Sequence, residues 1–408
     1  KRLMSDVSFG VFLSGGIDSS VNVALMSQMM SRSVDTFTVG FKDFTHLNEL
    51  NFAKQISNKF KTNHHEILID EKDVLTYLNE LIHYQDEPIA DWVCLPLHFL
   101  SNLAKRVGRK VVQVGEGSDE QFCGYESWLR YLKAKKYFWD PYKYLCPNGF
   151  MSAIDKMGIG FAPASRGTAS QILEMLHRAS TGHELFFSGA NSIWEIHKPK
   201  YLNYSNYTET QDYNYLEKAG FNTHGLSSQH SGNVINEYCS DYERLFPVSD
   251  QLARMAFNET RLRLPELLLM RLDKISMSNS IEGRVPFLDY NLVEYTTNIP
   301  QEMKVKNGVK KYLLKKAIAD LLPNDIIHRE KMGFSAPVSQ WLRGEFGQLA
   351  SETVLNSNIF ELGFLQKAYI AERFHEHYSG KADHSLHLWT IFNLVSWFDH
   401  WIDNKRSS

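Results

Sequence analysis

Phe9-Gly10-Val11-Phe12-Leu13-Ser14-Gly15-Gly16-Ile17-Asp18-Ser19-Ser20 is an apolar run that breaks into a glycine- and serine-rich turn, and a helical pattern over residues 21–30 follows it. A strand delivering a tight turn to a helix N-terminus is suited to an anion. Gly15 and Gly16 let successive backbone N–H groups converge, Ser14, Ser19 and Ser20 add hydroxyls, and the positive end of the helix points at the same spot. Asp18 does not fit a bare anion cradle. A carboxylate there repels phosphate unless a cation sits between them, so its presence implies Mg²⁺ bridging protein and nucleotide. The loop has neither Gly-x-x-x-x-Gly-Lys-Ser/Thr nor Gly-x-Gly-x-x-Gly spacing, which separates it from the P-loop and dinucleotide-binding classes.

Outward from this loop, the first third of the chain alternates strand and helix. Strands are expected over residues 9–13, 34–41, 64–69 and 110–114, and helices over 21–30, 47–60, 72–84 and 95–107. Continuous apolar strands separated by amphipathic helices predict an α/β fold with a parallel sheet covered on both faces. Ligands of such sheets sit at the carboxyl ends of the strands, where the Ser14 loop, Val39-Gly40-Phe41 and Gly115-Glu116-Gly117-Ser118-Asp119-Glu120 should converge. From residue 126 onward the texture turns helical and aromatic, with helices expected at 128–137, 170–179, 250–258, 265–276, 309–322 and 384–401. The predicted division is therefore a core over residues 1–125 and a helical lobe over 126–408. Residues 198–232 carry no clear period and read as an extended loop or lid.

Composition narrows the class. The chain has 408 residues, 43% of them hydrophobic, and a formal net charge of −3 with no long basic run, which argues against nucleic acid as the main partner. Cys94, Cys123, Cys146 and Cys239 form no Cys-x-x-Cys pair, so a reducing cytoplasm is the expected location. No apolar stretch approaches the roughly 20 residues that span a bilayer, and no signal peptide opens the chain. The start, Lys1-Arg2-Leu3-Met4, reads as the end of a helix feeding the first strand, as though the sequence began inside a longer protein. His64 and His65 have no Cys or carboxylate partner at zinc-site spacing and are set aside as ligands. Arg284 and Asp289 flank the apolar Val285-Pro286-Phe287-Leu288 and read either as a loop-anchoring salt bridge or as a substrate contact.

Three carboxylates among residues 116–120 pack poorly, and the glycines beside them let the backbone approach a ligand. That suits a metal–nucleotide site in which Asp119 joins Asp18. With this block the chain resembles the asparagine synthetase family. The resemblance is carried by the Ser-Gly-Gly-x-Asp-Ser pyrophosphate loop, by Asp86-Glu87-Pro88-Ile89-Ala90-Asp91, by residues 111–125, by Met270-Arg271-Leu272-Asp273-Lys274 leading to Asp289, and by residues 308–314 with Arg329-Glu330-Lys331-Met332-Gly333-Phe334.

The resemblance implies a pyrophosphate-loop core, adenine nucleotide α-hydrolase-like, with a mostly helical C-terminal lobe. It also implies ATP-dependent activation of a carboxylate as an acyl-adenylate, with release of pyrophosphate and aminolysis by ammonia. By residue match, Ser14, Gly15, Gly16, Asp18, Ser19 and Ser20 would hold pyrophosphate and metal, and Asp119 would be the second Mg²⁺ ligand. Leu13, Val39 and Gly115 would contact the nucleoside, Glu116 would face the adenylate and manage the ammonia proton, and Lys311 would neutralise charge on the phosphates. A lid excluding water is expected around residues 304–308 or 331–334. The family's N-terminal glutaminase domain is not expected within these 408 residues, so ammonia would come from solution, from a separate glutaminase subunit, or from a glutaminase domain removed from the chain; a homodimer is a further expectation that the resemblance allows. Val93 and Val114 stand where relatives often carry hydroxyls, which sets a non-aspartate acid, such as a uronic acid sugar, beside aspartate as acceptor. A non-catalytic module would need decay of the charged residues, yet Asp18, Glu116, Asp119 and Lys311 are all present.

Overall fold

Five parallel strands in the order β3-β2-β1-β4-β5 form the sheet of the computed structural model, which describes residues 2–146, 151–153, 156–158, 163–165, 167–189, 191–203, 231–246, 250–330 and 336–403. They are β1 (Phe9–Phe12), β2 (Asp35–Phe41), β3 (Asn63–Ile69), β4 (Val111–Gln113) and β5 (Glu282–Arg284). Every residue of β1, β2 and β4 is buried, as expected of strands covered on both faces, whereas the edge strand β3 alternates in exposure. Between them run α1 (Ile17–Met29), α2 (Leu50–Phe60), α3 (Glu71–Gln85) and α4 (Cys94–Arg106). A reciprocal capping box starts α3: Asp73 N–H donates to Asp70 Oδ1 and Asp70 N–H to Asp73 Oδ2, each at 3.0 Å.

From β1 the chain builds β2 and β3 on one side, then crosses back to add β4 and β5 on the other. The loops after β1 and β4 therefore leave neighbouring strands in opposite directions, and their carboxyl ends frame the crevice where open α/β sheets bind ligands. Four strands match the sequence expectation to within one or two residues. The fifth, β5, is not among the expected strands, because Glu282-Gly283-Arg284 is too short and polar to show a period; it pairs with β4 in register Val112↔Gly283.

Two compact units divide the chain. The first holds Lys1–Glu126 and Leu264–Val338, the second Ser127–Arg263 and Ser339–Ser408. The boundary expected from sequence falls at nearly the same residue but leaves everything beyond it in the helical lobe, whereas Leu264–Val338 belongs with the sheet. The reason lies in the core: Val11, Leu13, Val23 and Ile56 pack with Leu314, Ile318, Leu322 and Ile326. Each such side chain stabilises the unit by about 1.5–3 kcal/mol on burial, enough to hold the returning segment. The second unit is mostly helical, with Trp389, Phe346 and Phe392 among its buried aromatics.

Two local expectations are corrected. Residues 2–8 run as turns, bends and irregular chain rather than as a helix end. The helix expected over 309–322 is only Tyr312–Ala317, because Lys311 takes a left-handed φ of 52° immediately before it. Ahead of Lys311, Asn307 and Gly308 have φ of 50° and 78°, and Lys306 and Val309 exchange both backbone bonds, the mirror-image turn that Asn-Gly favours.

Candidate active site

The Ser14 loop is knitted by its own hydroxyls. Ser14 Oγ accepts the Gly16 N–H and lies 3.2 Å from Ser19 Oγ, which accepts the Ser14 N–H, also at 3.2 Å. Gly15 has φ +70° and Gly16 caps α1 without a side-chain bond, so the first amides of that helix keep their donors. Ser20 is fully buried, and its hydroxyl has no partner among the described residues. Leu13 and Val39, at the ends of β1 and β2, are buried at the same edge, where Thr38 Oγ1 donates to the Leu13 carbonyl.

The loops after β1 and β4 touch. A Cβ on Gly115 would lie 2.8 Å from Asp18 Cβ, so only glycine permits this approach. Across the contact, Ser118 Oγ donates to Asp18 Oδ1 at 2.6 Å. Lys311, only 3% exposed, completes the cluster, with Nζ at 2.5 Å from Asp18 Oδ1, 2.8 Å from Asp119 Oδ1 and 3.1 Å from Ser118 Oγ. Burial works to lower the pKa of the Lys311 ammonium, but the charges of Asp119 and Asp18 outweigh it and the net direction is up. Gly124 roofs the group so closely that a Cβ there would fall 1.8 Å from Asp119 Oδ1.

The remaining carboxylates of residues 116–120 have separate partners. Glu116 Oε1 accepts from Arg271 Nη2 at 2.9 Å, and Arg271 Nη1 also pairs with Asp91. Glu120 is buried and accepts the Tyr125 hydroxyl at 2.5 Å; burial, helped by the Asp119 charge, pushes its carboxyl up to about 7. Lys274 ties the Asp86 stretch to the helix Met270–Met277 through Asp86, Glu87 and the Gln85 carbonyl.

Arg329 stands in the sequence only as part of a motif block, and its place in the fold gives it a use. Its guanidinium donates to the Gly15 carbonyl at 3.2 Å, pairs with Glu49 and lies 4.0 Å from the Phe52 ring centre. It thus fastens the Ser14 loop to the start of α2. Should the loop bind ATP, as the resemblance implies, Arg329→Ala is expected to weaken that binding about tenfold, a loss of about 1.4 kcal/mol, in a titration of the nucleotide; unchanged binding would mean that Glu49 and Phe52 hold the loop unaided.

Other residues singled out in the sequence lie elsewhere. Arg284 pairs with Glu282 at 2.7 Å and donates to the Met4 carbonyl, while Asp289 caps the helix Tyr290–Thr297, so of the two readings of this pair the Arg284–Asp289 bridge is not made. His64 hydrogen-bonds Thr36 and Glu66, and His65 bonds Asp35. Of the two lid candidates, residues 304–308 include the tight Asn-Gly turn and residues 331–334 lie outside the described residues, as does most of the 198–232 stretch. The four cysteines are free thiols. Among the described residues no helix is long and apolar enough to cross a membrane, and no group of three or more His, Cys, Asp or Glu is placed to hold a metal.

Residues 1–403 match the family described as Asparagine synthase. The chain is 28% identical over 396 residues to an asparagine synthetase [glutamine-hydrolyzing] 1 from Bacillus subtilis, covering 97% of this chain and 56% of that protein. It is 30% identical over 413 residues to a putative asparagine synthetase [glutamine-hydrolyzing] from Mycobacterium tuberculosis, covering 99% and 56% respectively. Amidase chyE of Penicillium rubens is 25% identical over 390 residues, 89% of this chain and 54% of that one. The chain thus spans about half the length of the curated relatives it matches.

Proposed function

The chain belongs to the asparagine synthase family, and from that membership we propose that it is an ATP-dependent, carbon–nitrogen bond-forming ligase whose acceptor is a carboxylic acid, with aspartate the leading candidate. The observation that carries the reading is the Asp18–Lys311–Asp119 cluster beside an open helix N-terminus at the sheet crevice. Opposed charges there suit a polyphosphate bound with its cation.

In the first step an oxygen of the acceptor carboxylate bonds to the α-phosphorus, the bridging P–O bond to the β-phosphate breaks, and pyrophosphate leaves with the electron pair. The α1 amides and the Ser14 loop bind the departing phosphates, and Lys311 offsets the charge that develops on them. Asp18 and Asp119 are hard oxygen donors brought together by the Lys311 ammonium they share; they are the donor type that fits Mg²⁺ and would hold it together with phosphate oxygens and water. When bound, Mg²⁺ supplies electrostatic stabilisation of the transferring phosphoryl group. In the second step the ammonia nitrogen bonds to the acyl carbon, the C–O bond to AMP breaks, and Glu116 takes a nitrogen proton.

The relatives named as glutamine-hydrolysing support a glutaminase domain or subunit as ammonia source. Val93 and Val114, both buried and apolar where a hydroxyl could hydrogen-bond, favour a second reading in which the acceptor is an acid other than aspartate. A screen of acids by ATP–pyrophosphate exchange tests both readings. Aspartate-dependent exchange is expected; exchange with a uronic acid sugar alone would move the acceptor to the second reading, and no exchange with any acid would remove the ligase reading.

A further inference from the structure

Three stretches far apart in the chain meet at one guanidinium. Arg271 sends Nη1 to Asp91 Oδ2 at 2.5 Å, across 180 residues, and Nη2 to Glu116 Oε1 at 2.9 Å, across 155 residues. The arginine is 6% exposed. Asp91 is fixed from its other side as well, since its Oδ1 accepts the Val93 N–H at 3.0 Å where α4 begins. Glu116 differs from its acidic neighbours. Asp119 is committed to Lys311 and Glu120 to Tyr125, whereas the Glu116 side chain is 31% exposed and only its Oε1 is engaged among the described residues.

Stability alone gives a weak reason for this arrangement. Desolvating a guanidinium and a carboxylate costs several kcal/mol, and an apolar group of similar volume often serves a core as well. What arginine adds is direction, because its planar fork fixes two partners at set angles and lysine does not. Here one arm of the fork is anchored on a carboxylate that is itself held by backbone, and the other arm reaches the half-exposed carboxylate beside the crevice.

We propose that Arg271, backed by Asp91, is a positioning residue for amide formation: it holds Glu116 Oε1 so that Oε2 faces the nitrogen from which a proton must pass. This rests on the proton-accepting role proposed for Glu116. In that step the nitrogen lone pair forms the C–N bond, the C–O bond to AMP breaks with its electrons on AMP, and one nitrogen proton goes to Glu116 Oε2. Arg271 touches neither reactant. Its loss should therefore spare adenylation and impair aminolysis, so that adenylate is hydrolysed and AMP appears without amide.

The test compares Glu116→Gln, Arg271→Met, Arg271→Lys, Asp91→Asn and the Arg271→Met/Glu116→Gln double variant at saturating ammonia. ATP–pyrophosphate exchange and the ratio of amide to AMP are measured for each. Arg271→Met should keep exchange within about threefold of the parent while lowering the ratio at least about tenfold, and Glu116→Gln should lower the ratio at least as far, the lower end of a proton-transfer contribution being somewhat larger still. Arg271→Lys should recover part of the ratio, and the double variant should be no worse than either single one, the non-additivity of residues acting through each other. If Arg271→Met misfolds, Arg271→Lys and Asp91→Asn carry the same measurement. An unchanged ratio in Glu116→Gln would remove the role given to Glu116. A lowered ratio there with an unchanged ratio in the Arg271 and Asp91 variants would leave that role standing and overturn the proposal, as would an additive double variant.

Discussion

Asp18→Asn and Asp119→Asn will each lower adenylate-forming turnover by at least about a hundredfold, the scale of losing a principal electrostatic stabiliser. The substitution keeps the volume of the side chain and removes its charge. Asp18 lies at the start of α1, 2.6 Å from Ser118 Oγ, and Asp119 stands under Gly124, where a Cβ would fall 1.8 Å from its Oδ1. The neighbouring carboxylates are turned to other partners, Glu116 Oε1 to Arg271 and Glu120 to Tyr125. Titration of turnover with Mg²⁺ checks the pair: the requirement should move to higher concentration in both variants. Near-normal turnover with an unchanged Mg²⁺ requirement in either would rule out that residue as a ligand.

Lys311→Met carries the second large effect, and it has two separable parts. Removing the ammonium leaves two carboxylates facing each other in a buried place, which should destabilise the protein by about 3–5 kcal/mol, the cost of breaking a buried ion pair from one side. A divalent cation supplies the missing charge, so added Mg²⁺ should raise the melting temperature of this variant more than that of the parent. The other part is kinetic. An interaction stronger in the transition state than in the ground state accelerates the step, so pre-steady-state pyrophosphate release should fall far more than ATP affinity. Lys310, Lys315 and Lys316 serve as controls: Lys310 pairs with Glu126 and Lys316 lies near the Tyr312 ring. Alanine at each should change little. Equal, mild effects at all four lysines would return Lys311 to a structural role.

How much of the fold is legible in the sequence depends on how far its signals reach. The strands β1 to β4 stand out because β1, β2 and β4 are rich in apolar and β-branched residues and β3 ends in Ile67-Leu68-Ile69, and the alternation with helices is enough for a parallel sheet. β5 and the return of Leu264–Val338 to the first unit are not legible, since both depend on pairing and packing with residues hundreds of positions away. In the site, Asp18, Glu116, Asp119 and Lys311 are conspicuous as charges in glycine-rich or motif-bearing surroundings, and the fold draws Asp18, Asp119 and Lys311 to within hydrogen-bonding distance. Ser14 and Ser19 show the limit of residue type: hydroxyls suited to phosphate are engaged in shaping the loop itself. Arg271 and Arg329 have no role legible in sequence because their partners are long-range. For Arg271 the available signal is an arginine set in a largely apolar helical pattern, which must find a counter-charge if that face is buried.

The central claim is that the acceptor carboxylate is activated on the α-phosphorus of ATP. It is tested most directly with an acid labelled with ¹⁸O in its carboxylate, tracing the label into products by mass spectrometry. The account predicts AMP carrying one ¹⁸O on its phosphate, unlabelled pyrophosphate and one amide formed per AMP. Recovery of ADP with labelled inorganic phosphate would contradict it, placing the attack on the γ-phosphorus.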